Sequence, residues 1–383
     1  MKTELELNEK IVRITEKIRT KYPELLENMN EMPETIPDKD NPKIIVKTLA
    51  AYYDSLVSLL DGYECNHAKN ELTKKNEDAS VTIIKNMELD NSYEDLWAEV
   101  NGITLSYNDA GEGTVPVIFL HGYPFDKSMW KGQLDSLKSS SRVIACDIRG
   151  FGKSTDKDSH LSIDLFAEDL VSFMDKLNIE KAIVCGLSMG GFIALNAMKR
   201  FPDRFEALIL CDTQCISDTA EVKEKRNTAI RQINRDGASV FNEKFIKSVF
   251  HPDSLTKKAE IVENLRSIVF ANSKKIITAG LTALAERSET CSTLDAIDIP
   301  TLIICGRADE VTPLAQSEFM HEHIEGSILK IIDNAGHVSN LEQSDEFNEY
   351  LLDFLNHLNA NKYVEPNSEP MKPKVKGEEI EPL

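Results

Sequence analysis

The chain has 383 residues, of which 41% are hydrophobic, and this size and composition are typical of one large globular domain with an appendage. Its formal net charge of −20 argues against a nucleic-acid partner, because binding a phosphate backbone requires a basic surface. No apolar run approaches the roughly 18 to 20 residues that a membrane span needs, so we expect no membrane partner.

The first 64 residues predict a helical hairpin. Apolar residues recur at helix-face spacing in two stretches, from Leu7 to Leu25 and from Ile45 to Leu60. The segment between them, "NEMPETIPDKDNP", contains prolines that end one helix and begin the next. Because so small a hairpin is not stable alone, we expect it to dock on the main domain, to self-associate or to bind a protein partner.

Two further segments lack a regular pattern. Residues 65–95 are polar and mixed in charge, and we interpret them as a linker. Residues 359–383 form a tail that is rich in proline and charge, which predicts disorder. One folded domain is therefore predicted between them, at residues 96–358.

Strand-like and helix-like patterns alternate through this domain. Short apolar runs predict strands at Trp97–Val100, Ile103–Tyr107, Val115–Leu120, Val143–Asp147, Ala182–Cys185, Ala207–Cys211, Thr301–Cys305 and Leu329–Ile332. Helical patterns lie at Lys127–Leu137, Ile163–Leu177, Met189–Arg200, Pro313–Ile324 and Asp345–Leu358. The alternation predicts an α/β fold with an eight-stranded, mostly parallel sheet and helices on both faces. Residues from about 216 to 297 show no strand pattern, which predicts a helical cap inserted over the strand ends.

The cysteines and the amino terminus bear on the compartment. The seven cysteines are odd in number and form no CxxC pair, which predicts a reducing compartment and no disulfide framework. Four of them lie in or beside apolar strand-like runs, where a free thiol behaves as a small hydrophobe: Cys146, Cys185, Cys211 and Cys305. The segment "MKTELELNEK" lacks the apolar stretch of a secretory signal. Together these features predict a cytoplasmic protein.

The segment "GLSMGG" joins the strand that ends at Cys185 to the helix that begins at Met189. A serine on such a sharp turn needs small residues two positions away on either side, and Gly186 and Gly190 flank Ser188 at those positions. The turn raises the hydroxyl above the sheet and directs the first amides of the helix toward the group that it attacks. Ser188 is therefore the predicted nucleophile.

A serine nucleophile needs a base, and the base needs an acid that orients it. His337 follows the last predicted strand, in "NAGHVSNLEQ", and Asp309 follows the preceding strand, in "CGRADEVTP". Since both should lie at the sheet edge that carries Ser188, we predict a triad of Ser188, Asp309 and His337. Asp212, in "LILCDT", is an alternative acid, but support of the pocket wall is its expected role.

An oxyanion hole requires two N–H donors near the serine. The predicted donors are the amide of Met189, directly after the nucleophile, and the amide of Tyr123, in the "HGYPF" loop after an early strand. A cis bond before Pro124 would suit so tight a turn. His121, which begins the loop, is expected to make a structural hydrogen bond.

With these motifs in place, residues 97–358 resemble the α/β-hydrolase superfamily. The resemblance rests on "FLHGYPFDKSMW", "CDIRGFGKS", "GLSMGG", "LILCDT", "CGRADEVTP" and "AGHVSNLEQ". The chain looks most like the branch with small helical caps, which includes 3-oxoadipate enol-lactonases, small carboxylesterases and cofactor-free haloperoxidases or perhydrolases. The resemblance implies a serine hydrolase that cleaves a small or medium carboxylic ester or lactone through an acyl-enzyme. Epoxide hydrolases and haloalkane dehalogenases share the HG-x-P motif but use an aspartate where this chain has Ser188.

Two other functions stay open. A cofactor-free perhydrolase or haloperoxidase would use the same triad, and a non-catalytic binding protein would use the helical hairpin as its interaction module. The sequence contains no HExxH motif and no Cys/His cluster, so neither a metal nor another cofactor is expected.

The predicted cap carries a basic run and several apolar side chains. The basic residues are expected to form a solvated helix face, with binding of a substrate carboxylate as the alternative: Lys223, Lys225, Arg226, Arg231 and Arg235. The apolar residues either line an enclosed pocket or pack within the cap: Phe241, Phe245, Phe250, Ile268, Val269 and Phe270.

Overall fold

The computed structural model describes residues 4–21, 53, 93–157 and 160–362. The chain divides into two units, Met1–Ser92 and Tyr93–Leu383. In the first unit, helix α1 spans Glu4–Lys21 and overlaps the first helix of the predicted hairpin. The second predicted helix apart from Tyr53, most of the predicted linker and most of the predicted tail lie outside the described residues.

The second unit is built on an eight-stranded sheet in the order β1-β2-β4-β3-β5-β6-β7-β8. The strands are β1 Leu96–Val100, β2 Ile103–Ala110, β3 Val117–Leu120, β4 Val143–Cys146, β5 Ala182–Leu187, β6 Phe205–Cys211, β7 Thr301–Gly306 and β8 Ile328–Ile332. Strand β2 pairs antiparallel with β1 and β4, and the other pairs are parallel. Each predicted strand overlaps one of these, so the predicted sheet is confirmed.

The central strands form because both of their faces are covered. Every residue of β5, "AIVCGL", is buried. Ala182 and Val184 belong to one apolar cluster, whereas Ile183, Cys185 and Leu187 belong to another, as the two-residue period of a strand requires. Burying one Val, Ile or Leu side chain contributes about 1.5–3 kcal/mol, so this run holds β5 at the centre of the sheet.

Helices pack around the sheet and form the insertion between β6 and β7. They are α2 Lys131–Leu137, α3 Ile163–Lys176, α4 Met189–Arg200, α5 Ala220–Asp236, α6 Ser239–Val249, α7 Ser254–Lys257, α8 Ala259–Ala271, α9 Lys274–Glu286, α10 Leu314–His323, α11 Ser339–Glu342 and α12 Ser344–Lys362. Helices α5 to α9 occupy the region of the predicted cap, and we call them the cap. No helix in the described residues is both long enough and apolar enough to cross a membrane.

A disulfide joins the two ends of the cap insertion. Cys215, in the loop after β6, is bonded to Cys291, which begins a 3₁₀-helix that leads toward β7. The prediction of no disulfide framework is therefore wrong for this pair, because a sequence separation of 76 residues leaves no spacing signal. The inference of a reducing compartment loses that support. The remaining described cysteines are free and buried: Cys146, Cys185, Cys211 and Cys305.

Candidate active site

Ser188 lies on the turn between β5 and α4. Its backbone has φ 54° and ψ −113°, in the positive-φ region that a residue with a side chain rarely adopts. Hydrogen bonds hold it there: the Ser188 N–H donates to the Cys211 carbonyl at 2.9 Å, and Thr213 Oγ1 donates to the Ser188 carbonyl at 2.8 Å. The surrounding strands thus impose the strained conformation that raises the hydroxyl above the sheet.

The turn requires glycine beside the serine. A Cβ at Gly186 would lie 2.3 Å from the carbonyl carbon of Gly190, and a Cβ at Gly190 would lie 2.1 Å from the carbonyl oxygen of Leu120. Both approaches involve backbone atoms, which a small adjustment cannot move away. Close packing of β3, β5 and α4 therefore explains why the serine has glycines on either side.

Ser188, His337 and Asp309 form one hydrogen-bonded chain. His337 Nε2 lies 2.8 Å from Ser188 Oγ, and His337 Nδ1 lies 2.8 Å from Asp309 Oδ2. The three residues follow β5, β8 and β7, whose parallel order brings their carboxyl ends to one edge. Because a carboxylate only accepts, the neutral imidazole carries its proton on Nδ1 and presents the lone pair of Nε2 to the hydroxyl.

Hydrogen bonds keep Asp309 charged. Its Oδ1 accepts from the amides of Val311 and Thr312 at 2.8 and 3.0 Å, and its Oδ2 accepts from Thr312 Oγ1 at 2.7 Å. Burial raises the pKa of Asp309, but the charge of His337 and these bonds outweigh burial and lower the pKa overall. Burial lowers the pKa of His337, but the Asp309 carboxylate outweighs it and the pKa lies above 6.5. The pair therefore combines a charged orienting group with a basic imidazole.

Asp212, the alternative acid, lies at the end of β6 and bonds to other groups. Its Oδ1 accepts the N–H of Gly306 at 2.8 Å, and its Oδ2 accepts from the amide and hydroxyl of Ser339 at 3.2 and 2.6 Å. Burial raises the pKa of Asp212 to about 7, and the nearby charge of Asp309 adds to this. Both ring nitrogens of His337 already have partners, so Asp212 supports the segment after the histidine.

The two predicted oxyanion donors lie at the same edge of the sheet. Met189 begins α4, where the first N–H groups of a helix have no intrahelical partner. Tyr123 lies in the loop after β3, and Leu120 of β3 pairs with Gly186 of β5, so both loops leave the sheet side by side. The Tyr123–Pro124 bond is cis.

Two side chains hold the loop after β3. The Tyr123 hydroxyl donates to the carbonyl of Ile277 in α9 at 2.8 Å. His121 Nε2 accepts the N–H of Ile148 at 2.9 Å, so its Nδ1–H donates to the Gly122 carbonyl at 2.9 Å. Burial lowers the pKa of His121, which keeps the ring neutral. His121 thus makes structural hydrogen bonds with both ring nitrogens.

The basic run of the cap lies mostly in surface ion pairs. Lys225, Arg231 and Arg235 pair with Glu221, Glu224 and Asp236, and all of these side chains are more than half exposed. Arg226 differs, because it shares the buried carboxylate of Asp218 with the buried Arg287. Among the apolar cap residues, Phe245 packs against the rings of Tyr123 and Phe125.

The described histidines outside the triad do not converge on a metal site. His321 Nδ1 bonds to Ser327 Oγ, and His323 Nδ1 bonds to the Phe319 carbonyl. Within the part of the chain that the structure describes, no group of three or more His, Cys, Asp or Glu side chains could hold a metal ion.

Sequence reasoning missed two polar residues beside His337. Ser339 and Glu342 are both fully buried, and both lie in the "AGHVSNLEQ" segment. Ser339 bonds to Asp212 of β6, and Glu342 bonds to the amide of His251 in the cap. The only sequence signal was their place in a motif already assigned to the histidine, because their partners lie 127 and 91 residues away.

Comparisons with known proteins agree with this fold. Residues 115–344 match the model of the family described as alpha/beta hydrolase fold. The 3-oxoadipate enol-lactonase 2 of Acinetobacter baylyi is 31% identical over 247 residues, which cover 64% of this chain and 91% of that protein. An esterase from Thermogutta terrifontis superposes with a TM-score of 0.66 and 30% identity, covering 69% of this chain and 99% of that chain.

A third relative is a bromoperoxidase from Bacillus anthracis. Its structure superposes with a TM-score of 0.63 at 27% identity, covering 69% of this chain and 100% of that chain. The resemblance inferred from the motifs is therefore confirmed. The chain belongs to the alpha/beta hydrolase fold family, and it is a hydrolase.

Proposed function

We propose that this protein is a serine hydrolase that cleaves a small or medium carboxylic ester or lactone through an acyl-enzyme. The observation that carries the proposal is the position of His337, whose ring nitrogens lie 2.8 Å from Ser188 Oγ and 2.8 Å from Asp309 Oδ2. This arrangement activates a hydroxyl for attack on a carbonyl carbon. The similarity to an enol-lactonase and an esterase supports the same substrate class.

The first half of the reaction forms the acyl-enzyme. Ser188 Oγ attacks the carbonyl carbon while His337 Nε2 takes its proton. The amides of Tyr123 and Met189 stabilise the resulting oxyanion, a contribution of about 3 kcal/mol for each donor in such sites. Asp309 holds Nδ1–H and stabilises the imidazolium. The tetrahedral intermediate then collapses, and His337 returns the proton to the leaving alkoxide.

The second half releases the acid. His337 Nε2 takes a proton from water, the water oxygen attacks the acyl carbon, and the ester bond to Ser188 breaks as Oγ is reprotonated. In a lactone the leaving hydroxyl stays attached to the acyl chain, so the product is a single hydroxy acid or its keto tautomer. The cap contacts Tyr123, and we expect it to enclose the site and so to favour small or medium substrates over long lipids.

A fluorophosphonate probe tests the proposal, because it reacts only with an activated serine. Intact mass and peptide mapping should show one adduct on Ser188, and Ser188→Ala and His337→Ala should both lack it. The absence of an adduct on folded wild-type protein would contradict the proposal and favour a binding function. Screening esters and lactones with the labelled and unlabelled protein then identifies the substrate class.

A second function uses the same triad. Hydrogen peroxide would attack the acyl-enzyme in place of water and form a peracid, which oxidises bromide. The similarity to a bromoperoxidase favours this candidate. Hydrolysis and peroxide-dependent bromide oxidation should be compared at equal acyl-donor concentration, and a bromide oxidation rate well below hydrolysis would eliminate it.

A further inference from the structure

A buried carboxylate joins the segment before His337 to the cap. Glu342 ends α11, and its side chain is fully buried. Its Oε1 accepts the N–H of Gly336 at 2.6 Å, and its Oε2 accepts the N–H of His251 at 2.8 Å. Gly336 directly precedes His337, and His251 lies just after α6, so one carboxylate bonds to both segments.

The two segments also touch each other directly. We call residues 335–337 the histidine loop and residues 249–251 the cap segment. The N–H of His337 donates to the Val249 carbonyl at 2.8 Å. A Cβ at Gly336 would lie 2.8 Å from the His251 nitrogen and 2.9 Å from the Val249 oxygen. The backbones therefore lie against each other with no room for a side chain between them.

We propose that Glu342 is a positioning residue for His337: Glu342 holds the histidine loop on the cap segment so that His337 Nε2 stays within hydrogen-bonding distance of Ser188. The inference rests on the proposed function, in which His337 is the base. Its physical reason is that the loop follows the edge strand β8 and needs an anchor on its outer side. A misplacement of about 1 Å in such a group costs up to about a hundredfold in rate.

The charge of Glu342 also acts on His337. Burial lowers the pKa of the imidazole, and three carboxylates raise it: Asp309 most strongly, then Asp212 and Glu342. These groups come from the loop after β7, the end of β6 and α11. Removing the charge of Glu342 should therefore lower the pKa of His337, which a purely mechanical anchor would not do.

Hydrogen bonds to Glu342 offset part of the effect of burial on its pKa. Burial raises its pKa, whereas hydrogen bonds from the Ser254 side chain and from the amides of Gly336 and His251 lower it, and the net shift is upward. His251 is the ionisable neighbour of Glu342 in the cap segment, and Lys258 Nζ contacts the backbone carbonyl of Glu342.

The test uses the full-length protein and the rate of fluorophosphonate labelling at Ser188, measured across pH. Glu342→Gln removes the negative charge. The amide nitrogen of its side chain also faces one of the two backbone N–H donors, those of Gly336 and His251, to which it cannot bond. We expect the labelling rate to fall about ten- to a hundredfold and its pH midpoint to move lower. Glu349→Gln removes an exposed carboxylate from α12 and should label like the wild type.

A second variant separates the effect of side-chain length from the effect of charge. Glu342→Asp keeps the charge but is one methylene shorter, so it cannot bond to both amides; labelling should slow while the pH midpoint stays at the wild-type value. If Glu342→Gln does not fold, this variant decides the question. A folded Glu342→Gln or Glu342→Asp protein with the wild-type rate would overturn the inference, whereas a wild type that does not label would instead contradict the proposed function.

Discussion

At the scale of single residues, the choice between two acids depends on which one bonds to His337. Asp309 Oδ2 lies 2.8 Å from Nδ1, whereas Asp212 accepts bonds from Gly306 and Ser339. Both aspartates follow strands at the same edge, so motif order alone left either of them available. In the proposed mechanism, this contact favours Asp309 over Asp212 as the orienting acid.

The pH dependence of turnover follows from the same contact. The base must be neutral, so activity is present above the pKa of His337 and is lost as pH falls through it. Because that pKa is raised, we expect the acid limb of kcat/KM to have its midpoint above 6.5. Asp309→Asn removes the main charge that raises the pKa, so the midpoint should move lower and kcat should fall about 10⁴-fold.

Rate profiles of wild type and Asp309→Asn between pH 5 and 9, with about half-unit steps, check this expectation. Glu310→Gln is the matched control, because Glu310 is the exposed neighbouring carboxylate. An unchanged midpoint in Asp309→Asn would show that another group titrates in the limb.

At the scale of elements, the cap contacts the loop that carries the predicted oxyanion donor Tyr123. A Cβ at Gly280 in α9 would lie 2.5 Å from Tyr123 Cε2 and 3.1 Å from the ring of Phe151. In a helix interior, alanine is more favourable than glycine by about 1 kcal/mol, but an alanine at position 280 must displace the Tyr123 ring. We therefore expect Gly280→Ala to lower kcat by about ten- to a hundredfold through the displaced amide.

Steady-state kinetics of Gly280→Ala on the ester identified by screening measure this effect. Thr278 lies two residues away in α9, and its hydroxyl bonds to the backbone of its own helix. Thr278→Ala should therefore stay within about twofold of wild type. Wild-type kcat in Gly280→Ala would mean that the tyrosine loop accommodates the methyl group without moving its amide.

The disulfide links the two ends of the cap insertion. Cys215 and Cys291 are 76 residues apart, and crosslinking a loop of this length stabilises a protein by about 2–4 kcal/mol. The double variant Cys215→Ser/Cys291→Ser should lose about that much free energy of unfolding in urea. Peptide mapping of the wild type without reductant should recover Cys215 and Cys291 as one disulfide-linked pair of peptides. Recovery of both cysteines as free thiols would contradict the bond.

Element boundaries show where local patterns were insufficient. The predicted strand Val115–Leu120 begins at Val117 in the structure, after Pro116, which has no N–H for the sheet ladder. The predicted helix Lys127–Leu137 is a 3₁₀-helix, Lys127–Trp130, followed by α2. Asp126 begins this turn by accepting the N–H of Ser128, a contact that apolar periodicity does not reveal.

At the scale of the whole molecule, the two units should have separate roles. The triad, the predicted oxyanion donors and the cap all lie within Tyr93–Leu383. We expect a chain of residues 93–383 to keep the labelling rate of the full protein within about twofold. Of the three expectations for the predicted hairpin, self-association predicts that its removal changes the oligomeric state, and binding of a protein predicts that its removal abolishes capture of that partner.

Size-exclusion chromatography with light scattering, run on both chains, measures the oligomeric state. An unchanged state together with unchanged labelling would remove self-association of the hairpin from consideration. Loss of labelling in a folded 93–383 chain would show instead that the first unit contributes to the active site.

Local sequence patterns were enough to predict the sheet, the cap insertion and the order of the predicted serine, acid and base. These features depend on residues close together in the chain: the period of a strand, the glycines around a tight turn, and polar residues in the turns and loops that follow strands. Such local signals can be identified in the sequence without knowledge of the fold.

Which polar groups bond to each other depends on how the whole chain packs. The bond from His337 to Asp309 spans 28 residues, that from Ser339 to Asp212 spans 127, and that from His251 to Glu342 spans 91. The disulfide likewise pairs residues on either side of the whole cap. A buried carboxylate takes whichever donors the packed strands and loops present to it, and that set is defined only when the chain has closed around it.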